Sequence, residues 1–278
     1  MVTLDALLDH GHDVALVVTG PDRRRGRGGK TSPSAVKRRA TQRAVPVAHD
    51  VAAVREVDVE RAVVVAFGAL IPASLLATTP MLNVHFSLLP RWRGAAPVHH
   101  AVLAGDSVTG VSIMTLEPTL DTGPIHLVRT VEVGEKTVDD LTRELAVVGA
   151  SALLEVLDTP TLLGNSTPQV GPVTYASKIT SLDRRLSPRL DVTTFVRTVR
   201  LGGAHLFAGP TRLIVHRACP SDAPVPEGRF HLIGHDLVVG LRDGSVVLLE
   251  VQPGGSTVVS GRQWWFTGRA SKEETTWS

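Results

Sequence analysis

The stretch Asn83-Val84-His85-Phe86-Ser87-Leu88-Leu89-Pro90-Arg91-Trp92-Arg93-Gly94-Ala95-Ala96-Pro97 decides how the chain is read. Its start belongs to an apolar run, Met81 to Phe86, bounded by Pro80 and Ser87, which has the length and texture of a buried strand. Asn83 and His85 are two apart, so on a strand both side chains project to one face. Ser87 to Pro97 is then a loop leaving a strand's C-terminal end, where open α/β sheets bind their ligands. A second loop, Leu120-Asp121-Thr122-Gly123, lies beyond another strand and supplies a carboxylate.

Outward from this block, strand and helix patterns alternate. Leu4, Leu7 and Leu8 form a helical stripe ending at Gly11, and Val14 to Thr19 reads as a buried strand. Ser32 and Pro33 predict a cap and first turn for a helix reaching Arg43. Ala62 to Phe67 is a second apolar strand, followed by a turn over Gly68 to Pro72 into a short helix. Ala96 to Leu103 predicts a helix stopped by Gly105; Gly110 to Leu116 and Ile125 to Val133 predict strands. Thr137, with Asp140 three residues on, opens a long helix to about Leu157. Apolar strands interleaved with helices indicate an α/β domain with a mostly parallel sheet covered on both faces. A helix stands where such a domain usually has its first, central strand: either the start is misassigned, or the sheet lacks that strand and leaves ladder groups unpaired on its neighbours.

After Asp158 the texture changes. Residues 158–190 are rich in Thr, Pro, Gly and Ser and read as a linker. From Asp191 one short helix precedes β-type runs at Arg212 to His216, Gly228 to Ile233, Leu237 to Leu241 and Val246 to Val251, with Asp243-Gly244 as a hairpin turn. A last helix starts at Ser260 and carries Trp264, Trp265 and Phe266. The expected organisation is thus a catalytic α/β domain over 1–157, a linker over 158–190 and a small barrel-like β domain over 191–278.

The 278 residues hold 29 Lys and Arg against 27 Asp and Glu, a net charge of only +2. Nine of these cations (Arg23, Arg24, Arg25, Arg27, Lys30, Lys37, Arg38, Arg39 and Arg43) fall in one segment without an acid, leaving 20 basic against 27 acidic residues elsewhere. Such a segment suits a polyanion, or is a solvated loop and helix face. With 43% hydrophobic and 20% charged residues the composition is that of a folded protein. The longest apolar run, Ala62 to Ile71, falls short of the ~20 residues of a membrane helix, and no signal peptide is evident. Cys219 is the sole cysteine, which excludes an intrachain disulfide and suits the cytoplasm. No CxxC pair or HExxH helix suggests zinc, so no metal is expected. Gly29-Lys30-Thr31 follows a strand as in a phosphate-binding loop, but Arg24 stands where that motif needs glycine.

An amide, an imidazole and a carboxylate at one strand end suit acyl-type transfer to an amine. Attack on a formyl carbon makes a tetrahedral oxyanion to which Asn83 and protonated His85 can donate. Asp121 can hold His85 in its charged form, or relay a proton from the amine. Each residue also has a structural explanation: Asn83 capping a strand end, His85 as a satisfied core histidine, Asp121 opening a turn.

Taken together, Asn83 to Pro97, Gly105-Asp106, Thr109-Gly110-Val111 and Leu120 to Gly123 closely resemble the methionyl-tRNA formyltransferase family. Pro21-Asp22-Arg23 with Gly26-Arg27-Gly28 and Pro33-Ser34 resembles its basic loop. Tyr175-Ala176-Ser177-Lys178-Ile179 resembles its linker, and Leu248 to Pro253 a late strand. The resemblance implies a formyltransferase-type Rossmann domain and a C-terminal OB-like barrel. It implies 10-formyltetrahydrofolate as donor, the α-amine of methionyl initiator tRNA as acceptor, and a cytoplasmic monomer. It implies Asn83, His85 and Asp121 as catalytic residues. Ser87, Leu88, Leu89 and Pro90, with the backbone of Gly68, Ala69 and Leu70, would bind folate. Arg27 would meet the acceptor end of the tRNA, flanked by Arg23, Arg24, Arg25 and Lys30. The chain departs from the family's pattern in its missing first strand, a shortened region between His49 and Val63, and Leu201 to Phe207 in place of a Pro-Trp-containing turn. The competing readings are an N-formyltransferase for an amino sugar or other small amine, and a catalytically silent RNA-binding relative.

Overall fold

A computed structural model describes residues 1–24, 29, 31–267 and 276–277. They divide into two compact units. One comprises Met1–Pro97, Val108–Glu132 and Thr142–Ser177; the other comprises Val98–Ser107, Val133–Leu141 and Lys178–Ser278.

In chain order the elements up to Ser177 are α1 (Val2–Asp9), β1 (Val17–Val18), β2 (Arg23–Arg24), β3 (Thr31–Ser32), α2 (Ala35–Gln42), β4 (Val47–Ala48), a 3-10 helix (Val51–Glu56), β5 (Ala62–Val65), α3 (Ala73–Leu76), β6 (Met81–His85), β7 (Arg93–Gly94), α4 (Pro97–Ala104), β8 (Val108–Thr115), β9 (Ile125–Glu132), α5 (Val138–Asp158), α6 (Pro160–Gly164) and β10 (Tyr175–Ala176). Helix α1 closes as its stripe predicts, with Gly11 N–H donating to Leu8 O and His12 N–H to Leu7 O. Helix α2 starts two residues later than Ser32-Pro33 suggests. Ser32 is held in a short antiparallel ladder with Arg23, and Ser34 caps instead, accepting the Lys37 N–H at 3.0 Å. The Thr137 hydroxyl caps α5, accepting the Asp140 N–H and donating to the Asp140 carboxylate.

The four-stranded sheet runs β5-β6-β8-β9. β5 and β6 are parallel; β8 and β9 continue the sheet antiparallel. β1 and β4 form a separate parallel pair, and among the described residues no ladder joins the two sheets. The helix α5 covers β6 closely. A Cβ on Gly149 would stand 2.7 Å from a Val84 methyl, so only glycine lets helix and strand approach this far.

The Arg-rich segment is partly committed inside the protein. Lys37 pairs with Asp22 at 2.8 Å, Arg39 with Asp5, and Arg43 with Asp9. The two pairs to Asp5 and Asp9 join α2 to α1, and all three narrow the set of cations free to meet an external polyanion to fewer than the sequence suggests.

The second unit holds α7 (Val192–Arg200), β11 (His205–Ala208), β12 (Thr211–Ser221), β13 (Phe230–Ile233), β14 (Asp236–Gly240), β15 (Ser245–Pro253), β16 (Val259–Ser260) and α8 (Gly261–Phe266). Its antiparallel sheet runs β11-β12-β15-β14-β13, with β16 also on β15. Alternation sorts one strand to two faces: Leu237 and Val239 enter the main core with Phe195, Leu213, Leu248 and Trp264, while Val238 joins a smaller cluster with Val225 and Val247. A register shift around Arg217 bends β12 against β15, the device that curls a sheet toward the half-barrel of an OB-like domain. β11 occupies part of Leu201 to Phe207 and continues to Ala208. The buried side chains of His205, Leu206 and Ala208 build this edge of the sheet, a strand that sequence patterning does not reveal.

The open edge of β5 gives a direct test. Ala62 N–H donates to Pro80 O at 2.9 Å and Val64 is paired within the ladder. In a parallel ladder alternate amides face the partner, so the Val63 and Val65 N–H groups point away from β6. Native-state hydrogen exchange should find these two amides exchanging at least about tenfold faster than Val64. Equal protection at all three would mean that another strand pairs there.

Candidate active site

Strand β6 is buried along its whole length, and the sheet holds it on both sides. Val64 lies opposite Asn83 on β5; Met114 and Ser112 lie opposite Asn83 and His85 on β8. Asn83 is 8% exposed and His85 6%. Their shared face and burial follow from the period-2 alternation of a strand whose neighbours are fixed.

The loop after His85 is tied down residue by residue. Ser87 Oγ donates to Arg91 O at 2.6 Å. The fully buried Ser112 hydroxyl donates to Ser87 O at 2.7 Å and accepts the Leu89 N–H at 3.2 Å. Trp92 takes a left-handed φ of +62°, and its N–H donates to Thr174 Oγ1 at 2.9 Å. β7 and β10 pair in parallel, Arg93 opposite Tyr175 and Gly94 opposite Ala176. His85 Nε2 lies 3.0 Å from Trp92 O. A carbonyl oxygen only accepts, so Nε2 carries a proton and Nδ1 is the nitrogen turned to Asp121.

Asp121 comes from a loop that leaves β8 at the Met81 end of β6, because β8 runs antiparallel to β6. The loop returns to His85 through a backbone turn in which Asp121 itself has φ +50°. Its carboxylate is 7% exposed as a residue, accepts the Gly94 N–H at 2.8 Å and stands 3.8 Å from His85 Nδ1. A doubly protonated ring places its two N–H groups against the Trp92 carbonyl and the Asp121 carboxylate.

Asn83, His85 and Asp121 are therefore positioned on one β-sheet unit, the latter two in direct contact. Ser87, Leu88, Leu89 and Pro90 continue from His85, and Gly68, Ala69 and Leu70 lie on the loop leaving β5. Since β5 and β6 are parallel, both loops leave the same end of the sheet. Leu70 is 86% exposed, so its side chain adds nothing to the core. Arg23 and Arg24 are exposed on β2; Arg25, Arg27 and Lys30 lie outside the described residues. Sequence reading missed Ser112, Thr174 and Gln169. Gln169 touches Arg93 and the Asp121 turn across separations of 76 and 48 residues, a distance over which no local pattern carries a signal. Among the described residues no cluster of three or more His, Cys, Asp or Glu could hold a metal ion, and no helix is long and apolar enough to cross a membrane.

Residues 2–157 match the formyl transferase family model, so the chain is a formyl transferase by class. The fold agrees with that of an N-formyltransferase from Helicobacter canadensis, at TM-score 0.64 and 13% identity over 88% of this chain and 93% of that one. It also agrees with HypX from Aquifex aeolicus, solved with tetrahydrofolic acid, at TM-score 0.63 and 18% identity over 82% of this chain and 43% of that one. Closer in sequence is the methionyl-tRNA formyltransferase of Acidothermus cellulolyticus, 37% identical over 94% of this chain and 92% of that protein. The chain belongs to the methionyl-tRNA formyltransferase family.

Gly94 is a tight point of the site. Its φ is +117°, and a Cβ there would lie 2.8 Å from Ala176 O. Gly94→Ala should displace the N–H that holds Asp121. The expected result is a fall in formyl-transfer turnover on the order of 100-fold, the scale of a 1 Å misplacement of a reacting group. Turnover within a few-fold of wild type would show that the Gly94–Asp121 bond does not position the carboxylate.

Proposed function

We propose that this enzyme transfers the formyl group of 10-formyltetrahydrofolate to the α-amine of methionyl initiator tRNA, the reaction that prepares the initiator for translation in the cytoplasm. What carries the reading is the buried His85–Asp121 pair beside Asn83, in a chain that matches a methionyl-tRNA formyltransferase nearly end to end.

The amine nitrogen attacks the formyl carbon and the carbonyl becomes an oxyanion. Asn83 Nδ2–H and His85 Nε2–H donate to that oxygen. For His85 this means exchanging the Trp92 carbonyl for an acceptor with full negative charge, and hydrogen bonds to ionised acceptors are roughly twice as strong. The Asp121 carboxylate accepts or relays the proton that the attacking amine loses. Collapse of the tetrahedral centre breaks the bond to the folate N10, which leaves with a proton, and the new amide remains on the methionyl group. No protein nucleophile is needed.

Ser87 to Pro90 and the backbone of Gly68 to Leu70 are suited to the donor, being two loops at one end of parallel strands. Arg23, Arg24, Arg25, Arg27 and Lys30 are suited to the acceptor's phosphates, because Lys37, Arg39 and Arg43 are already paired with acids. The reading is of a monomer that meets both substrates through this unit.

The test is to incubate the protein with 10-formyltetrahydrofolate and methionyl initiator tRNA and to measure formyl-methionine. Asp121→Asn should lower turnover by on the order of 10²–10⁴ while tRNA affinity holds. Arg27→Ala should weaken tRNA binding and flatten its salt dependence by slightly less than one unit of slope, with chemistry on bound tRNA retained. Preferential formylation of a free amino sugar, or no product at all, would overturn the proposal.

A further inference from the structure

We infer that Gln169 is a positioning residue for formyl transfer, the clamp that returns the Asp121 loop to His85. It lies beyond residues 2–157 matched by the formyl transferase model, in the stretch whose composition reads as linker. Its amide is used at both ends. Nε2 donates to Asp121 O at 2.8 Å and to Gly123 O at 2.9 Å. Oε1 accepts from Arg93 Nε at 3.0 Å and from Nη2 at 2.6 Å. The main chain of Arg93 is itself anchored, its N–H donating to Thr174 O at 2.9 Å. One primary amide therefore links the turn carrying the Asp121 carboxylate to the residue preceding Gly94, whose N–H holds that carboxylate.

The chemistry needs this link because of topology. The Asp121 loop departs from β8 at the far end from His85, and Asp121 and Gly123 present carbonyls that no ladder satisfies on this side. Two carbonyls converging on one point call for one donor group with two hydrogens, and a guanidinium beyond calls for an acceptor on the same side chain. A glutamine is the residue that offers both at this reach. Asn is one methylene shorter; Glu lacks the donors.

The inference rests on the proposed reaction, and its test separates the two. Gln169→Ala and the isosteric Gln169→Glu are prepared beside wild type and Asp121→Asn. Steady-state formylation, thermal stability and the ¹⁵N resonances of the His85 ring are recorded for each. The expected result is a kcat lower by on the order of 10–100-fold in both Gln169 variants, with KM for donor and tRNA within about threefold of wild type. The His85 Nδ1 resonance should move toward its position in Asp121→Asn, since in each case the carboxylate no longer faces it. Gln169→Glu keeps the acceptor for Arg93 but sets a carboxylate against two carbonyls, so it should fare no better than alanine. A kcat near wild type in either variant would overturn the inference. So would a loss of activity that only follows the loss of folded protein while the ring resonances stay in place. If wild type formylates nothing, the reaction has been misread, yet the resonances still decide whether Gln169 holds Asp121 to His85.

Discussion

The hydrogen bond from Gly94 N–H to Asp121 Oδ2 is the contact on which the site depends. It joins two loops that begin at opposite ends of β6, and it aims a buried carboxylate at a buried imidazole. A hydrogen bond to a charged group is worth about 1.5–3 kcal/mol, and a buried carboxylate without its donors costs at least as much. The surroundings are arranged to make this bond unavoidable. β10 pairs with β7 and fixes Gly94; Gln169 fixes the turn that carries Asp121; Ser112 fixes the loop between His85 and Arg91. Formyl transfer then asks little further of the protein than two donors for an oxyanion and one group to take a proton.

Much of this was legible in the chain. Met81 to His85 reads as a strand because its apolar run is short and bounded, and the alternation of Asn83 and His85 follows at once. Asp121 reads as a loop carboxylate, though its meeting with His85 cannot be read from spacing, since it depends on a turn with φ +50° and on partners 27 and 48 residues away. The resemblance to formyltransferases supplied that convergence. The linker reading of residues 158–190 concealed the most consequential contacts. Pro, Gly and Thr are abundant there for turn chemistry, and the same residues allow an extended segment to lie along another loop and bond to it.

The charge of the chain is also clearer. Nine clustered cations looked like one polyanion footprint, but the acids that pair with three of them lie in α1 and just before the segment, at Asp5, Asp9 and Asp22. What remains for a phosphate is centred on the stretch from Arg23 to Lys30. Likewise the Ser34 cap replaces Ser32 because the hairpin between β2 and β3 claims Ser32 first, a tertiary choice that a capping pattern alone does not register.

The central claim is that the buried His85, aimed by the Trp92 carbonyl and the Asp121 carboxylate, takes part in the chemical step. Single-turnover formylation of prebound methionyl initiator tRNA by His85→Asn measures that step apart from binding. The account predicts a rate lower by on the order of 10²–10⁴ with substrate affinities retained. A chemical step as fast as wild type in a folded, substrate-bound His85→Asn enzyme would contradict it.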